Sequence, residues 1–388
     1  MHKHFLLYLS IFLTLICTSC KQGPPANGVH RVYYENKKLS IVENYKNGQR
    51  NGISKEYYPN GTLKSVHHYK NGKKSGPAKK YFKNGILAFE GTYKNGLLNE
   101  RIRTYYPSRK PKESYTTIDE KIEGTYVQYH ENGQVKLKGN YLNDQRQGLF
   151  QTFYDTGELF KEEQYQDNRL EGTAKEYTLN GTIKKILGYR EGKVHGIVKS
   201  NFPNGQIKSL HSFKKGKLHG VTREYYENGE WKGLYYYKDG KLDGEAKEYY
   251  PHEKIKKRMY YIKGELFGKV KTYHPDGTLK AEGNYKHNKL SGPSKSFNEN
   301  GSLAVEAYFK DNMLTGISKT YYPDGKLKTT IEYSDDASTS IVNEYFPNGQ
   351  LQNKSIYELG NLKYKAAYDK EGGLIQEEGE SSYKKLTQ

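Results

Sequence analysis

The sequence predicts an all-β fold, an elongated, twisted, single-layer antiparallel β-meander of about fifteen 24-residue hairpin repeats. Three observations predict it. A glycine recurs in one 24-residue phase through most of the 388 residues. Each repeat carries two turn signals, separated by runs of about eight residues, which is strand length. The composition suits a thin sheet: 34% of residues are hydrophobic, and 39 of 388 are Tyr, an amphipathic ring that tolerates half-burial. An aromatic content of 14% argues against disorder, and 40 Gly without a G-X-Y period exclude collagen.

In chain order, residues 1–19 read as a signal peptide. Lys3 supplies a basic start, and Phe5 to Ile16 form a 12-residue apolar run, short for a span of roughly 20 residues. Cys17-Thr18-Ser19-Cys20 follows, and small residues ahead of Cys20 resemble the lipobox of bacterial lipoproteins. That resemblance implies diacylation of Cys20 and its exposure as the mature N-terminus, although Cys17 stands where the lipobox usually has an aliphatic residue. Residues 20–28 are then a lipidated linker, 29–382 the repeat sheet and 383–388 a tail. The only two Cys lie in or beside the signal, so the mature body has no disulfide or thiolate chemistry. Its formal charge is +18, the +19 of the whole chain less Lys3.

The turn glycine falls at 61, 85, 133, 157, 181, 205, 229, 277, 301, 325, 349 and 373, with Arg109 and Glu253 in the two skipped phases. A second turn, as in Lys70-Asn71-Gly72-Lys73, holds Gly, Asn or Asp in nearly every repeat, residues that tolerate positive φ. Two strands per repeat joined by short turns make a meander, and no helical periodicity competes with it. Copies such as Phe89-Glu90-Gly91-Thr92-Tyr93-Lys94-Asn95-Gly96 resemble the MORN repeat, and more closely its bacterial variant, over roughly residues 29–376. That resemblance implies elongated single sheets acting as non-catalytic scaffolds or binding surfaces, some touching phospholipid, and an antitoxin-like label in bacteria.

The Tyr57 and Tyr69 phases are each aromatic in 13 of 15 repeats, and the Leu63 phase is Leu, Ile, Val, Trp231 or Pro111 in all fifteen. Such columns predict ladders of cross-strand packing. Turn length decides their faces, because a one-residue shift flips every side chain. An even loop pairs 58 with 63 and 69 with 74. It gathers the Ala78, Tyr58, Leu63, Tyr69 and Leu98 phases on one face and the Lys55, Tyr57 and Lys64 phases on the other. A three-residue loop with a bulge also fits Pro-Asn-Gly and would mix Lys55 with Leu63. The even loop sorts charge from apolar better and is the favoured expectation.

The Lys55 phase is basic in 11 of 15 repeats: Arg31, Lys55, Lys79, Arg103, Lys175, Lys199, Arg223, Lys247, Lys271, Lys295 and Lys319. It reads either as a solvated face or as an anion-binding stripe beside Tyr rings, its rows about 10 Å apart. The even loop sets Lys64 opposite Lys79, a destabilising pair of like charges that Glu56, Glu176, Glu224 and Glu248 partly offset.

No P-loop, G-x-G-x-x-G, G-x-S-x-G or H-E-x-x-H motif is present, and no catalytic residue, metal site or cofactor is assigned. His195 and His219 share a phase in adjacent repeats, about 10 Å apart and too far to share an ion. His130 and His274 stand in for aromatic rings, and His67 and His68 point to opposite faces. Three stretches depart from the pattern, 107–121, 251–258 and 334–340, each keeping phase. At the C-terminus Glu377, Glu378, Glu380, Lys384 and Lys385 fit protection of an exposed edge strand.

The functional expectation is a non-catalytic scaffold in a bacterial cell envelope, held through Cys20 to a membrane, the outer one by preference. Its partner is an envelope protein or an anionic polymer. A membrane-surface module using the basic face is the first rival. A toxin-neutralising or nucleic-acid binder is the second, and it requires cytoplasmic residence against the signal segment.

Overall fold

A computed structural model describes residues 23, 25–334 and 338–384. The predicted signal segment and Cys20 lie outside the described residues. The chain divides into two compact units, one ending at Gly181 and the other beginning at Thr182. Each unit is an antiparallel meander. In the first, Gly28–Tyr33 pairs with Leu39–Lys46 and the sheet proceeds strand by strand. In the second, the same order runs from Ile183–Arg190 to Leu374–Gly379. Sheets built this way have no second layer to bury them, so each residue column must be covered by its own neighbours.

The Pro-Asn-Gly signal forms a three-residue loop, not the favoured even one. The Tyr58 amide donates to the Thr62 carbonyl at 2.8 Å, and the Gly61 amide to the Tyr58 carbonyl at 2.8 Å. Gly61 has φ +90°, which explains the glycine. Asn60 braces the loop by accepting from the Thr62 amide at 3.0 Å. Tyr57 then faces Leu63, yet Glu56 faces Ser65. This one-residue irregularity returns the strand bodies to the register that the even loop predicted, with Lys55 opposite Val66.

The irregularity changes which residues share a face. Leu63-phase residues lie with the Tyr57 phase: Trp231 packs 5.4 Å from Tyr225 and 6.4 Å from Tyr249, ring centre to ring centre. The Lys64 phase turns to the other face, its Nζ 6.0 Å from the Tyr58 ring and 2.6 Å from Glu56. The predicted opposition of Lys64 and Lys79 does not occur, because Lys79 stands between Val66 and Glu90.

The second turn matches its prediction. Tyr69 faces Lys74 and Lys70 faces Lys73 across Asn71 (φ +50°) and Gly72 (φ +78°), the double positive φ of a tight hairpin. Beyond it the ladder absorbs two extra residues, since Tyr69 faces Lys74 whereas Val66 faces Lys79. A glycine at positive φ makes this bulge, as at Gly52 (φ +107°) and Gly76 (φ +98°), and it had no assigned role in the sequence reading. From Gly28 to Gly316 the one non-glycine in this phase is Glu100, at φ +74°. Glu100→Gly is therefore expected to stabilise the protein by about 1 kcal/mol in chemical denaturation, since a side chain is strained there.

The covered face holds the Ala78 phase as expected, with Ala78, Ile102, Phe150 and Ala174 buried in the first unit and Val198, Ala246 and Val270 in the second. Ala246, Met259 and Val270 are roofed by Tyr235, Tyr261, Leu266 and Tyr285, so Tyr69-phase rings and Leu98-phase aliphatics supply the cover. His67 lies on this face. Burial first, then Lys74 and Lys80, push its pKa down to about 4 from 6.5, and His211 in the same phase is also lowered by burial. A lowered His is held neutral by the fold, so this stability is complete above pH 6.5 and is lost as pH falls from 6.5 toward 4. Melting temperature should fall across that window, and less in His67→Tyr/His211→Tyr, a ring that the phase accepts at Tyr115 and Tyr235.

Repeats are also tied along both edges. Tyr58-phase hydroxyls donate to the carbonyl of the next repeat's Tyr57 phase: Tyr34 to Tyr57 at 2.6 Å, Tyr58 to Tyr81 at 2.8 Å, Tyr226 to Tyr249 at 2.7 Å, Tyr322 to Tyr345 at 2.8 Å. His130 takes that place with its Nε2 3.1 Å from the Phe153 carbonyl, in keeping with its reading as a ring substitute. At the opposite edge the Gly72 amide donates to the Arg50 carbonyl at 2.9 Å, and Gly96 to Lys74 at 2.8 Å.

Two departures are local. Tyr333 faces Ser340 in the same register that pairs Thr329 with Glu344, so the bulge of the other repeats is absent from this pair of strands. The final turn starts one residue early: the Asp369 amide donates to Gly373 at 2.9 Å, and Gly372, not the in-phase Gly373, has the positive φ of +93°. The slip begins in the preceding hairpin, whose bulge holds one extra residue between the Tyr357–Leu362 and Ile356–Tyr364 pairs, and it exchanges the faces of the strand Asn361–Tyr368. Ile356, Tyr364 and Ala366 become buried with Ile341, Tyr368 and Tyr383, the last from the short helix Ser381–Lys384. The end of the sheet is thus covered by an aromatic ring in addition to the charges, with Lys363 and Glu380 3.0 Å apart.

Candidate binding face

The basic phase lies on the face opposite the covered one, and its neighbours are the Val66 phase on both sides. That column is aliphatic in some repeats and acidic in others, so the stripe is not uniform. Arg103 is paired with Glu90 at 3.2 Å, Lys271 with Glu282 at 3.6 Å, and Lys295 with Glu306 at 3.0 Å. Glu90 has its pKa lowered by the Tyr105 hydroxyl and then Arg103, and Lys295 has its own raised by Glu306. Lys175 faces Glu162, and Lys319 faces Glu306. A continuous anion-binding stripe through all ten predicted residues is therefore not what the sheet presents.

Two stretches remain free of acid, one in each unit. In the first unit the row reads Arg31, Val42, Lys55, Val66, Lys79, each directly opposite the next. It ends at Glu90. In the second unit it reads Ile186, Lys199, Leu210, Arg223, Leu234, Lys247. Arg258 and Lys271 follow without an intervening aliphatic, and the row meets Glu282. Arg31, Lys55, Lys79, Lys199 and Arg223 make no ion pair within 4.0 Å among the described residues. Lys247 is 2.7 Å from Glu245, and Glu245 also holds Arg258 at 3.0 Å.

Apolar groups border the rows. Ile53 is 43% exposed beside the first; Ile197 (59%), Tyr236 (39%) and Tyr260 (47%) border the second. On the other flank stand Tyr225, Trp231 and Tyr249, and Trp231 is the single Trp of the chain. Cations beside exposed rings and aliphatics can bind a ligand that is both anionic and apolar. The Val66-phase residues were the missing signal: their alternation of aliphatic with Glu was present in the sequence and shows where the basic phase is neutralised.

No group of three or more His, Cys, Asp or Glu suited to a metal occurs among the described residues, and no helix among them is long and apolar enough to cross a membrane.

A family described as MORN repeat variant matches residues 26–47, 50–71, 74–95, 122–143, 146–167, 170–191, 194–215, 218–239, 242–263, 268–287, 290–311 and 314–335, roughly two thirds of the chain. Curated proteins give no match. Among solved structures, the crystal structure of TcdB2-TccC3-Cdc42 is 11% identical, covering 90% of this chain and 27% of that chain with a TM-score of 0.15. TcdB2-TccC3-TEV is 10% identical, covering 88% and 20%, again at 0.15. The Photorhabdus luminescens Tc holotoxin pore is 10% identical, covering 95% and 22% at 0.16. This chain spans about a quarter of the length of those chains, and at such scores the likeness carries no argument.

Proposed function

The chain belongs to the MORN repeat variant family, a family of repeat scaffolds, and from that premise we propose that it is a non-catalytic scaffold of a bacterial cell envelope, tethered through lipidated Cys20 and binding an acidic envelope partner. The observation that carries the reading is the pair of acid-free rows, Arg31 to Lys79 and Lys199 to Lys247, on the face opposite the covered one. In each row the cations are kept apart by aliphatics instead of Glu. Arg31, Lys55, Lys199 and Arg223 have neither an ion pair within 4.0 Å nor an acid directly opposite, which leaves positive potential for a partner, while Lys79 faces Glu90 and Lys247 pairs with Glu245. The same face elsewhere neutralises itself, as Arg103 does with Glu90.

A second reading, a module lying on anionic lipid, is supported by the exposure of Ile197 and Tyr260 beside the cations. Nucleic acid finds less support, since it requires cytoplasmic residence against the predicted signal segment.

Fatty-acid labelling and cell fractionation of wild type and Cys20→Ser test the tether. Joint loss of label and membrane association in the mutant supports it. An unlabelled, unprocessed wild type in the cytosol contradicts it and makes the toxin-neutralising or nucleic-acid reading the leading one.

A further inference from the structure

Resting on the reading of the two rows as a binding face, we infer that each row is a seat for an acidic amphipathic α-helix of a partner protein, laid across the strands with its axis along the row. The argument is periodicity. Neighbouring strands lie about 4.8 Å apart, so Lys199, Arg223 and Lys247 recur about every 10 Å, with Leu210 and Leu234 midway. Arg31, Lys55 and Lys79 recur in the same way, with Val42 and Val66 midway. The complementary ligand alternates acid and apolar group on one face, acid to acid at about 10 Å.

An α-helix does this. Residues i and i+7 are about 10.5 Å apart on one face, and i+3 or i+4 falls between them at about 5 Å. An extended strand repeats a face at about 6.7 Å, so alternating acid with apolar along it would space the acids at about 13 Å. A polyproline helix repeats a face at about 9.3 Å but sets nothing between.

The rows can also accept a straight rod. Val42, Val66, Leu210 and Leu234 are each the fourth of eight residues in their strands, near the middle, where a sheet that twists from strand to strand has its axis, so a line across the strands there stays straight. Tyr225, Trp231 and Tyr249 on one flank and Tyr236 and Tyr260 on the other give the sides of the helix rings to touch.

The test uses the full chain and synthetic peptides of about 21 residues, three heptads, with Glu at i, i+7 and i+14 and Leu between them. A shuffled peptide of the same composition and poly-glutamate are the comparison ligands. Trp231 fluorescence reports occupancy of the second row, and circular dichroism reports peptide helicity. The heptad peptide should bind and gain helicity. Arg223→Glu should weaken it at least about tenfold, and Lys138→Glu, outside both rows, should leave it unchanged. Thermal melting of Arg223→Glu separates lost binding from lost folding. Equal binding of the shuffled peptide or poly-glutamate, still abolished by Arg223→Glu, overturns the helix seat while leaving the rows as an anion-binding face. Absence of binding by all three ligands overturns both.

Discussion

Removing residues 222–245, one complete 24-residue repeat, should leave a folded protein whose melting temperature moves only a few degrees. Removing residues 222–244, one residue fewer, should cost roughly 3–5 kcal/mol and broaden or abolish cooperative melting. The first deletion joins Val221 to Ala246. Ala246 then takes the buried place of Thr222, Lys247 takes the place of Arg223 opposite Leu210, and both edge ladders close on equivalent partners. The second joins Val221 to Glu245. Glu245 lands in the buried column beside His211, and the remainder of the strand turns its faces over. Comparable melting of the two proteins would contradict local, phase-locked stability.

Phe150→Ala should cost about 3–5 kcal/mol, one of the largest effects of any single truncation in the first unit. Phe150 is 3% exposed and lies 5.5 Å from the Tyr141 ring, 5.1 Å from the Tyr165 ring and 5.6 Å from the Arg146 guanidinium. It fits because the residue beneath it is Gly139, where an added Cβ would meet the Phe150 ring at 2.4 Å. Gly139→Leu alone should therefore destabilise by overpacking, about 1–3 kcal/mol or more. The double variant Gly139→Leu/Phe150→Ala should recover a measurable part of both losses, a coupling that a double-mutant cycle in urea reads directly. The same pair of columns makes this trade two repeats earlier, with Ile102 over Gly91. Strict additivity would show that the two sites do not share one space.

Turn phase, strand count per repeat and the aromatic columns were legible because each rests on residues that local conformation demands. Gly61 and Gly72 need positive φ, and nothing in their neighbourhood can hide that requirement. The faces of Leu63 and Lys64 were not legible. A three-residue loop followed by a one-residue irregularity returns to the same strand register as an even loop, and the two differ only at those positions. The hydroxyl ladder from Tyr58 was hidden for another reason: Tyr and Phe pack alike, and the carbonyl that needs the hydroxyl belongs to the next repeat. The slip of the last hairpin begins in the bulge before it, where one extra residue, not two, separates the Tyr357–Leu362 and Ile356–Tyr364 pairs. Asp369 then braces the turn one residue early, its Oδ1 accepting from the Gly373 amide at 2.6 Å and from the Glu371 amide at 3.1 Å. Gly373 alone could not show it, since Gly372 serves the turn equally well. At the candidate site, within each unit the basic phase lies opposite that unit's covered face, but its value to a ligand depends on the Val66-phase neighbours, which leave one acid-free row in each unit.

The most direct test of the functional account is photo-crosslinking in cells from a reactive amino acid placed singly along the sheet. Tyr236 and His68 each border one row on that row's own face, Tyr235 lies on the opposite face of the second unit, and Leu149 lies on the first row's face of the first unit, beyond the end of that row. The account predicts one defined partner from Tyr236 and His68, lost in Arg223→Glu and Lys55→Glu respectively, and none from Tyr235 or Leu149. Equal crosslinking from Tyr235, or recovery that ignores the charge reversals, would contradict it.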